Sequence, residues 1–377
     1  MLIVYSCDRK MWSLPVVSFL EPSPMFYPKK SIALSLALTS LALSGAARAQ
    51  SSVTMYGLFD LSFGSFENAH LSTTSPRVTQ VESGKMTTSF LGFKGVEDLG
   101  GGLKALFTLE TFMRLDTGAE GRVPGAKPDV FWARNANVGI AGDFGRVTLG
   151  RMDNFLYQQA LLFNPFGGSF GFSPTIRLTY GGPFGVDKGD SGWSNAIAYY
   201  MPNMAGFSFA GQVQTGESDA EGDSVGLMAG YTSGPFAIGV GYQSVESAEA
   251  PKADVLGGKQ TFALIGTSYD FGAVKLFGQY GQYKGSDLVL AADNIKTKIY
   301  QLGASAPLTA NGRVLASYGR QTKELAAGDV KHTILSLGYD HNLTKRTDVY
   351  VVYMRDDDDR ANWEAGNTMA VGIRHRF

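Results

Sequence analysis

The sequence predicts an all-β fold, one antiparallel barrel of sixteen strands that crosses a membrane. Three observations carry this. Segments of about ten residues alternate apolar with polar or small side chains from Ser52 to the C-terminus. The connections between them alternate short and long. The composition is rich in glycine (47 of 377 residues) and in aromatics (12%), yet only 18% of residues are charged. Such a balance excludes a disordered chain and a charge-rich helical bundle.

The first 49 residues stand apart from the fold. Lys29 and Lys30, the apolar stretch Ile32 to Leu43 and the small-residue site Ala47-Arg48-Ala49 have the layout of a secretory signal, with cleavage after Ala49. Met25 would begin a signal of ordinary length, so residues 1–24 read as an over-long start. The apolar stretch is shorter than the ~20 residues of a transmembrane helix, and no later stretch reaches that length. Loss of residues 1–49 removes the single cysteine, Cys7, so the exported domain 50–377 holds no disulfide. It also removes five of 33 basic and two of 34 acidic residues, leaving 28 and 32, a net charge of −4. With no surplus of Lys and Arg to displace phosphate counterions, nucleic acid is excluded as a partner.

The strands follow from period-two alternation. In Val53 to Phe63 the odd positions are apolar apart from Gly57, while Thr54, Asp60 and Ser62 share the other face. Leu103, Ala105, Phe107 and Leu109 alternate with Lys104, Thr108 and Glu110 in the same way. Seven tight turns carry Gly, Asn, Asp or Pro: Asp98 to Gly102, Asp143 to Gly145, Pro202 to Gly206, Ser233 to Pro235, Asp270 to Gly272, Leu308 to Gly312 and Asn342 to Arg346. Eight longer polar segments lie between them, near 67–85, 116–129, 153–192, 216–223, 246–259, 284–297, 323–330 and 356–367. Seven turns and eight loops join sixteen strands, with both termini on the short-turn side. This asymmetry suits a membrane barrel with short periplasmic turns and long external loops. A secreted β-sandwich or solenoid would also alternate, but it would need several separate cores. A barrel of about sixteen strands is too wide for its side chains to fill, so the architecture implies a water-filled pore.

Several motifs carry a family resemblance. Ser51-Ser52-Val53-Thr54-Met55-Tyr56-Gly57, the stretch Leu91 to Ala105 (LGFKGVEDLGGGLKA), the run Gly142 to Arg151 (GDFGRVTLGR) and the end Val371-Gly372-Ile373-Arg374-His375-Arg376-Phe377 closely resemble the trimeric general diffusion porins of β-proteobacteria such as Neisseria and Burkholderia. The likeness spans the whole exported chain. It implies a homotrimer in the Gram-negative outer membrane, among lipid and lipopolysaccharide, that passes ions and small hydrophilic solutes without a cofactor. It implies that the third external loop, Asp153 to Gly192 here, folds into the lumen. The final aromatic, Phe377, resembles the signal read by the barrel assembly machinery. Basic residues on the family's wall face acidic or polar groups of the inserted loop, for which Asp153, Asp187, Asp190 and Arg177 are the candidates. Phe90 stands where many relatives carry arginine, which weakens the expected anion preference to a mild one.

Alternation places Asp60, Lys94, Lys104, Glu110, Arg114 and Lys275 on the inward face, since a charge facing lipid at the midplane would cost ~2–4 kcal/mol. Lys94, Lys104 and Arg114 are expected to share one wall. Arg134 and Arg151 would turn outward by simple alternation and need a strand end or a bulge to reach the pore. Tyr199, Tyr200, Tyr269, Phe271, Tyr350 and Tyr353 read as headgroup-level anchors. The run Asp356 to Asp359 would bind a divalent cation with lipopolysaccharide or, the simpler expectation, solvate the last loop. Gly167-Gly168-Ser169-Phe170-Gly171 and Gly189-Asp190-Ser191-Gly192 imitate hydrolase motifs without the strand and helix an elbow needs. His70, His332, His341 and His375 are scattered, with neither triad nor metal spacing, so neither a catalytic nor a metal site is expected. An outer-membrane phospholipase is the enzyme alternative.

Overall fold

The computed structural model describes residues 52–74, 77–122, 129–180, 190–216, 223–247, 258–287 and 292–377. The expected signal segment and Asp187 lie outside the described residues. Sixteen barrel strands run in order: β1 (Ser52–Phe66), β2 in two segments (Val78–Ser83 and Phe90–Gly100), β3 (Leu103–Phe112), β4 (Asn135–Gly142), β5 (Gly145–Asp153), β6 (Gly192–Tyr200), β7 (Phe207–Gln214) and β8 (Ser224–Ser233). They continue as β9 (Phe236–Ser247), β10 (Gly258–Asp270), β11 (Lys275–Asp287), β12 (Ala292–Pro307), β13 (Gly312–Glu324), β14 (Val330–Asn342), β15 (Thr347–Asp358) and β16 (Gly366–Arg376). Two short helices, α1 (Phe155–Leu162) and α2 (Pro174–Tyr180), lie between β5 and β6.

Each strand pairs antiparallel with its neighbours, and β16 returns to β1 in a register from Leu58 opposite Arg376 to Ser65 opposite Met369. Closure pairs the backbone without a free edge, which a strand in hydrocarbon requires. Gly57 and Phe377 extend the seam by exchanging two backbone hydrogen bonds of 3.2 Å, and the Phe377 ring packs 4.9 Å from that of Phe59. All seven tight turns form where turn chemistry places them. Gly102 (φ +83°) and Gly145 (φ +105°) adopt the left-handed backbone that their turns demand.

Outward positions form the greasy belt. Val53, Phe63, Val138, Ile140, Leu227, Ile265, Leu302 and Val371 are each exposed, as lipid-facing side chains must be. The other face departs from the expected polar lumen. Phe262, Leu264, Ile299, Leu315, Ile334 and Val352 point inward and are buried beneath the loop between β5 and β6. Strands β10 to β15 are therefore apolar on both faces over part of their length.

Other expectations need correction. The second strand begins at Val78, not after Lys85, because β2 is interrupted at 84–89 and both of its segments pair with β1. The external connection near 284–297 shrinks to 288–291, since β11 and β12 extend upward. Lys296 and Lys298 on β12 pair with Glu324 on β13, so charges that suggested a loop stabilise a strand pair. Of the expected anchors, Tyr200 and Tyr350 lie on the inner face: Tyr200 packs on Phe155, and Tyr350 is buried against Phe172. Tyr199 and Tyr200 are adjacent, so alternation permits only one of them to face lipid. The acidic run belongs to the end of β15 instead of a solvated loop, with Asp356 and Asp358 buried and Asp357 paired outward with Arg355.

Deletion of Phe377 is expected to weaken the β1–β16 seam. Folded barrels of the truncated chain should lose their compact SDS-resistant form at a lower temperature than the full chain, followed by gel mobility after stepwise heating.

Candidate functional site: the inserted loop and the charged wall

The loop is fastened at its neck. Asp153 pairs with Gly192 across β5 and β6, Asn154 N donates to Ser191 O (2.8 Å), and Asn154 Nδ2 donates to Asp190 O (2.9 Å). The Asn154 side chain also caps α1, accepting from Tyr157 N at 2.7 Å. From there the chain lies along the inner wall. Leu156, Gln159 and Phe163, one helical face, meet the wall at Gly241, Gly239 and Gly266. Pro165 meets Gly303, Phe166 meets Gly338, and Pro174 at the start of α2 meets Gly319. Leu156, Phe172, Ile176 and Leu178 are fully buried against the apolar wall residues.

The loop ends its circuit at the break in β2. Ser169 Oγ and Gly171 N both donate to Lys85 O, at 2.7 and 2.9 Å. Asp60 holds that break open. Its Oδ2 accepts from Met86 N (2.7 Å) and Thr87 N (2.8 Å), its Oδ1 accepts from Tyr350 (2.7 Å), and its carbonyl accepts from Gly84 N (2.9 Å). Asp60 does face inward, but it is fully buried and its acceptors serve backbone N–H groups and the Tyr350 hydroxyl.

Because the loop covers the wall from β8 round to β15, the remaining inner surface belongs chiefly to β1–β5. Lys94 of β2 sits there, its Nζ 4.5 Å above the centroid of Tyr56, and Tyr56 donates to Glu110 at 2.5 Å. Arg134 reaches the same place from the residue before β4. It pairs with Glu110 at 3.0 Å and stacks over Phe90 at 4.4 Å, so the aromatic ring supports a guanidinium. Arg151 lies beside a bulge in β6, where Gly150 stands opposite Ala196 and Met152 opposite Trp193. It donates to Ser194 Oγ (3.0 Å) and pairs with Asp190. Arg122 and Asp129, which no sequence signal marked, complete the cluster: Arg122 binds Asp190 at 2.6 Å and Asp129 at 2.9 Å. Asp153 is buried at the neck.

The remaining candidates lie apart. Lys104 is exposed beside the β2–β3 turn, opposite Asp98, and Lys275 follows the β10–β11 turn. Arg114 lies beyond the other end of β3, paired with Asp116 at 2.5 Å. At about 3.3 Å per residue, Lys104 and Arg114 are separated by roughly the thickness of the bilayer. They share a wall without sharing a constriction. Arg177 of α2 binds Asp356 at 2.8 Å and Asn68 at 2.8 Å, tying the loop to β15 and to the first external loop.

The serine of the first hydrolase-like motif is structural, and Gly189 of the second lies outside the described residues. Ser169 is buried and spends its hydroxyl on Lys85 O while accepting from Phe172 N (2.8 Å). His332 is bound to Asp356, His341 to Tyr339 and His375 to Thr347, each on the wall away from Ser169. Among the described residues, no group of three or more His, Cys, Asp or Glu is placed to hold a metal ion.

A closed sixteen-stranded barrel with an external loop lying inside its lumen defines an outer-membrane channel. The chain belongs to the Gram-negative porin family, whose model matches residues 33–361. Outer membrane porin protein 32 of Delftia acidovorans is 34% identical, across 93% of this chain and all of its own length. An outer membrane porin protein of Bordetella pertussis is 26% identical over the same shares. An anion-selective porin from Comamonas acidovorans superposes with a TM-score of 0.70 at 28% identity, covering 87% of this chain and 100% of its own. The trimer form of OmpT from Vibrio cholerae shares the fold, with a TM-score of 0.63 at 15% identity over 87% and 99%. The protein is thus a general diffusion porin of the outer membrane, and its relatives are channels, not enzymes.

Two outcomes are expected. Asp60→Ala orphans Met86 N and Thr87 N, at about 1–3 kcal/mol for each unsatisfied group, so its barrel should unfold at lower denaturant. The second concerns pH. Burial pushes the Asp190 carboxyl up, but hydrogen bonds from Arg122 and the charges of Arg122 and Arg151 outweigh it and hold the group below the usual carboxylate range. A depressed folded value contributes stability above the unfolded value of about 3.9, lost as pH falls through the folded one. Open-channel noise should therefore stay constant from neutral pH to about pH 4 and rise only below it.

Proposed function

We propose that passive diffusion through this lumen has a mild anion preference, set by Lys94. The observation that carries this is its partner: Lys94 rests on the Tyr56 ring, and among the described residues no carboxylate lies within 4.0 Å of its Nζ. The arginines around it are neutralised in place, Arg134 by Glu110, Arg122 and Arg151 by Asp129 and Asp190, Arg114 by Asp116 and Arg177 by Asp356, while Arg146, stacked on Tyr200, and Lys275 lie beside short turns at the far end of the barrel. Neutral pairs give a transverse field with little net charge. One uncompensated cation in a low-dielectric constriction then biases the ions that pass. The anion selectivity of the Comamonas porin supports the sign. Glu110 and the paired arginines are the supporting charges of the pore wall, while Asp60 and Asp153 act from buried positions and Lys104 lies at the β2–β3 turn.

Lys94→Glu should move the reversal potential across a KCl gradient toward cations, and by more than Arg114→Glu does. The wild-type preference should fade as salt rises, since the screening length is ~10 Å at 0.1 M and shorter at higher salt. If Lys94→Glu leaves the reversal potential where it was, this lysine is not the filter and Arg134, Arg151 and Arg177 are the next to test.

The working unit in this reading is a homotrimer embedded in lipid and lipopolysaccharide, with residues 1–49 removed on export. It should run as a heat-modifiable trimer, and a species that unfolds in cold SDS would overturn this. Phe377 serves as the assembly signal, so the chain without it should reach the membrane in lower yield even where detergent refolding succeeds. No catalysis is assigned, and purified protein should release no fatty acid from phospholipid vesicles.

A further inference from the structure

The inner wall carries a row of residues whose chemistry no passing solute explains. Gly239, Gly266, Gln279, Gln301 and Gly319 are direct cross-strand partners in succession from β9 to β13. Every one of them meets the inserted loop. A methyl group at Gly239 would lie 2.6 Å from Gln159 Nε2, one at Gly319 would lie 2.6 Å from Pro174 Cβ, and one at Gly266 would strike the Phe163 ring. Between them, Gln279 Nε2 donates to Ala160 O at 3.1 Å, and Gln301 Oε1 accepts from both Thr175 N (3.1 Å) and the Thr175 hydroxyl. One step further along the strands the pattern recurs. A methyl group at Gly303 would lie 2.6 Å from Pro165 Cδ, and Gln321 Nε2 donates to Leu178 O at 2.8 Å.

We infer that this glycine and glutamine belt is a specificity-determining element of the channel, because it sets how far the loop stands off the wall and so the cross-section left for solute. The glycines let loop side chains rest against wall backbone. The glutamines fix register, since each bonds a backbone group of the loop at one defined point. A side chain added in the belt has no free volume to enter, as the interior there is packed at the density of a protein core. The far side of the loop faces the lumen, with Gln158 and Leu162 on the surface of α1 opposite its wall contacts, and Leu162 is 51% exposed. The loop yields in that direction, toward β1–β5, and the lumen narrows. Belt residues thus act on solutes they never touch.

The inference rests on the diffusion-porin reading, and the test separates the two. Gly266→Ala and Gly266→Val are compared with Gly278→Val, which lies on the lipid side of β11, where an added methyl has nothing nearer than 3.7 Å. Barrels that retain heat-modifiable mobility are measured by single-channel conductance and by liposome swelling with sugars of increasing size. Conductance should fall in the order wild type, Gly266→Ala, Gly266→Val, the largest sugars should be lost first, and Gly278→Val should match wild type. Gln301→Ala adds no bulk, so it folds where a valine does not, and it should raise open-channel noise. Folded Gly266 variants that conduct and admit sugars like wild type, together with a quiet Gln301→Ala channel, would overturn the inference. Wild-type protein that neither conducts nor swells liposomes would instead overturn the diffusion reading.

Discussion

A sixteen-stranded closed barrel encloses more space than its own side chains fill, and the structure depends on how that space is occupied. The solution is to fold the loop between β5 and β6 back onto the wall. Phe155, Leu156, Phe172, Ile176 and Leu178 of that loop are fully buried, and full burial of such side chains contributes about 1.5–3 kcal/mol each. Their sum outweighs the few hydrogen bonds and ion pairs at the neck. The inserted loop is consequently part of the fold, held by the same hydrophobic burial that holds a soluble core, while the lipid-facing belt contributes through its match to the membrane.

This occupation divides the interior into two halves of different chemistry. The half under the loop needs close approach and dryness, which glycine and large apolar residues supply. The half from β1 to β5 stays in contact with water and carries charge. There the charges come largely as pairs: Glu110 with Arg134, and Asp190 between Arg122 and Arg151. Pairing lets ionised groups sit in a confined space at tolerable desolvation cost. It also cancels much of the net field there, so a lysine resting on a tyrosine ring with no carboxylate beside it matters more than the number of arginines suggests.

The strands were legible because one face of each had to be apolar and each turn needed Gly, Asn, Asp or Pro. Legibility failed where the inner face became apolar as well. Leu264 and Ile265 are neighbours on opposite faces, and both are greasy, so alternation carries no signal for the buried one. Tyr199 and Tyr200 failed for the same reason. The break in β2 was hidden because Gly84 and Lys85 look like the end of a loop, while what stabilises the break is Asp60, in another strand. Arg151 marks another limit of alternation: β5 keeps its register with β4 through Arg151, the extra residue lies in β6 between Trp193 and Ala196, and Asp190 and Ser194 hold the guanidinium. Pairings such as Arg177 with Asp356, 179 residues apart, are created by the inserted loop, and no local pattern encodes them.

The same network couples parts of the barrel that are distant in the chain. Asp60 lies on β1 at the closing seam, where its neighbours pair with β16, and its carboxylate shapes the break that presents Lys85 O to Ser169 and Gly171. Tyr350 of β15 bonds the same carboxylate and packs on Phe172 of the loop. Met86, inside the break, is buried in the cluster that the loop forms with β10–β15. Closing the seam and seating the tip of the loop therefore draw on one shared set of contacts. A barrel that closes with β2 in an unbroken register would leave the two hydrogen bonds donated by the loop tip without their acceptor and Met86 without its pocket, so the interrupted strand belongs to the channel's design as much as the loop it receives.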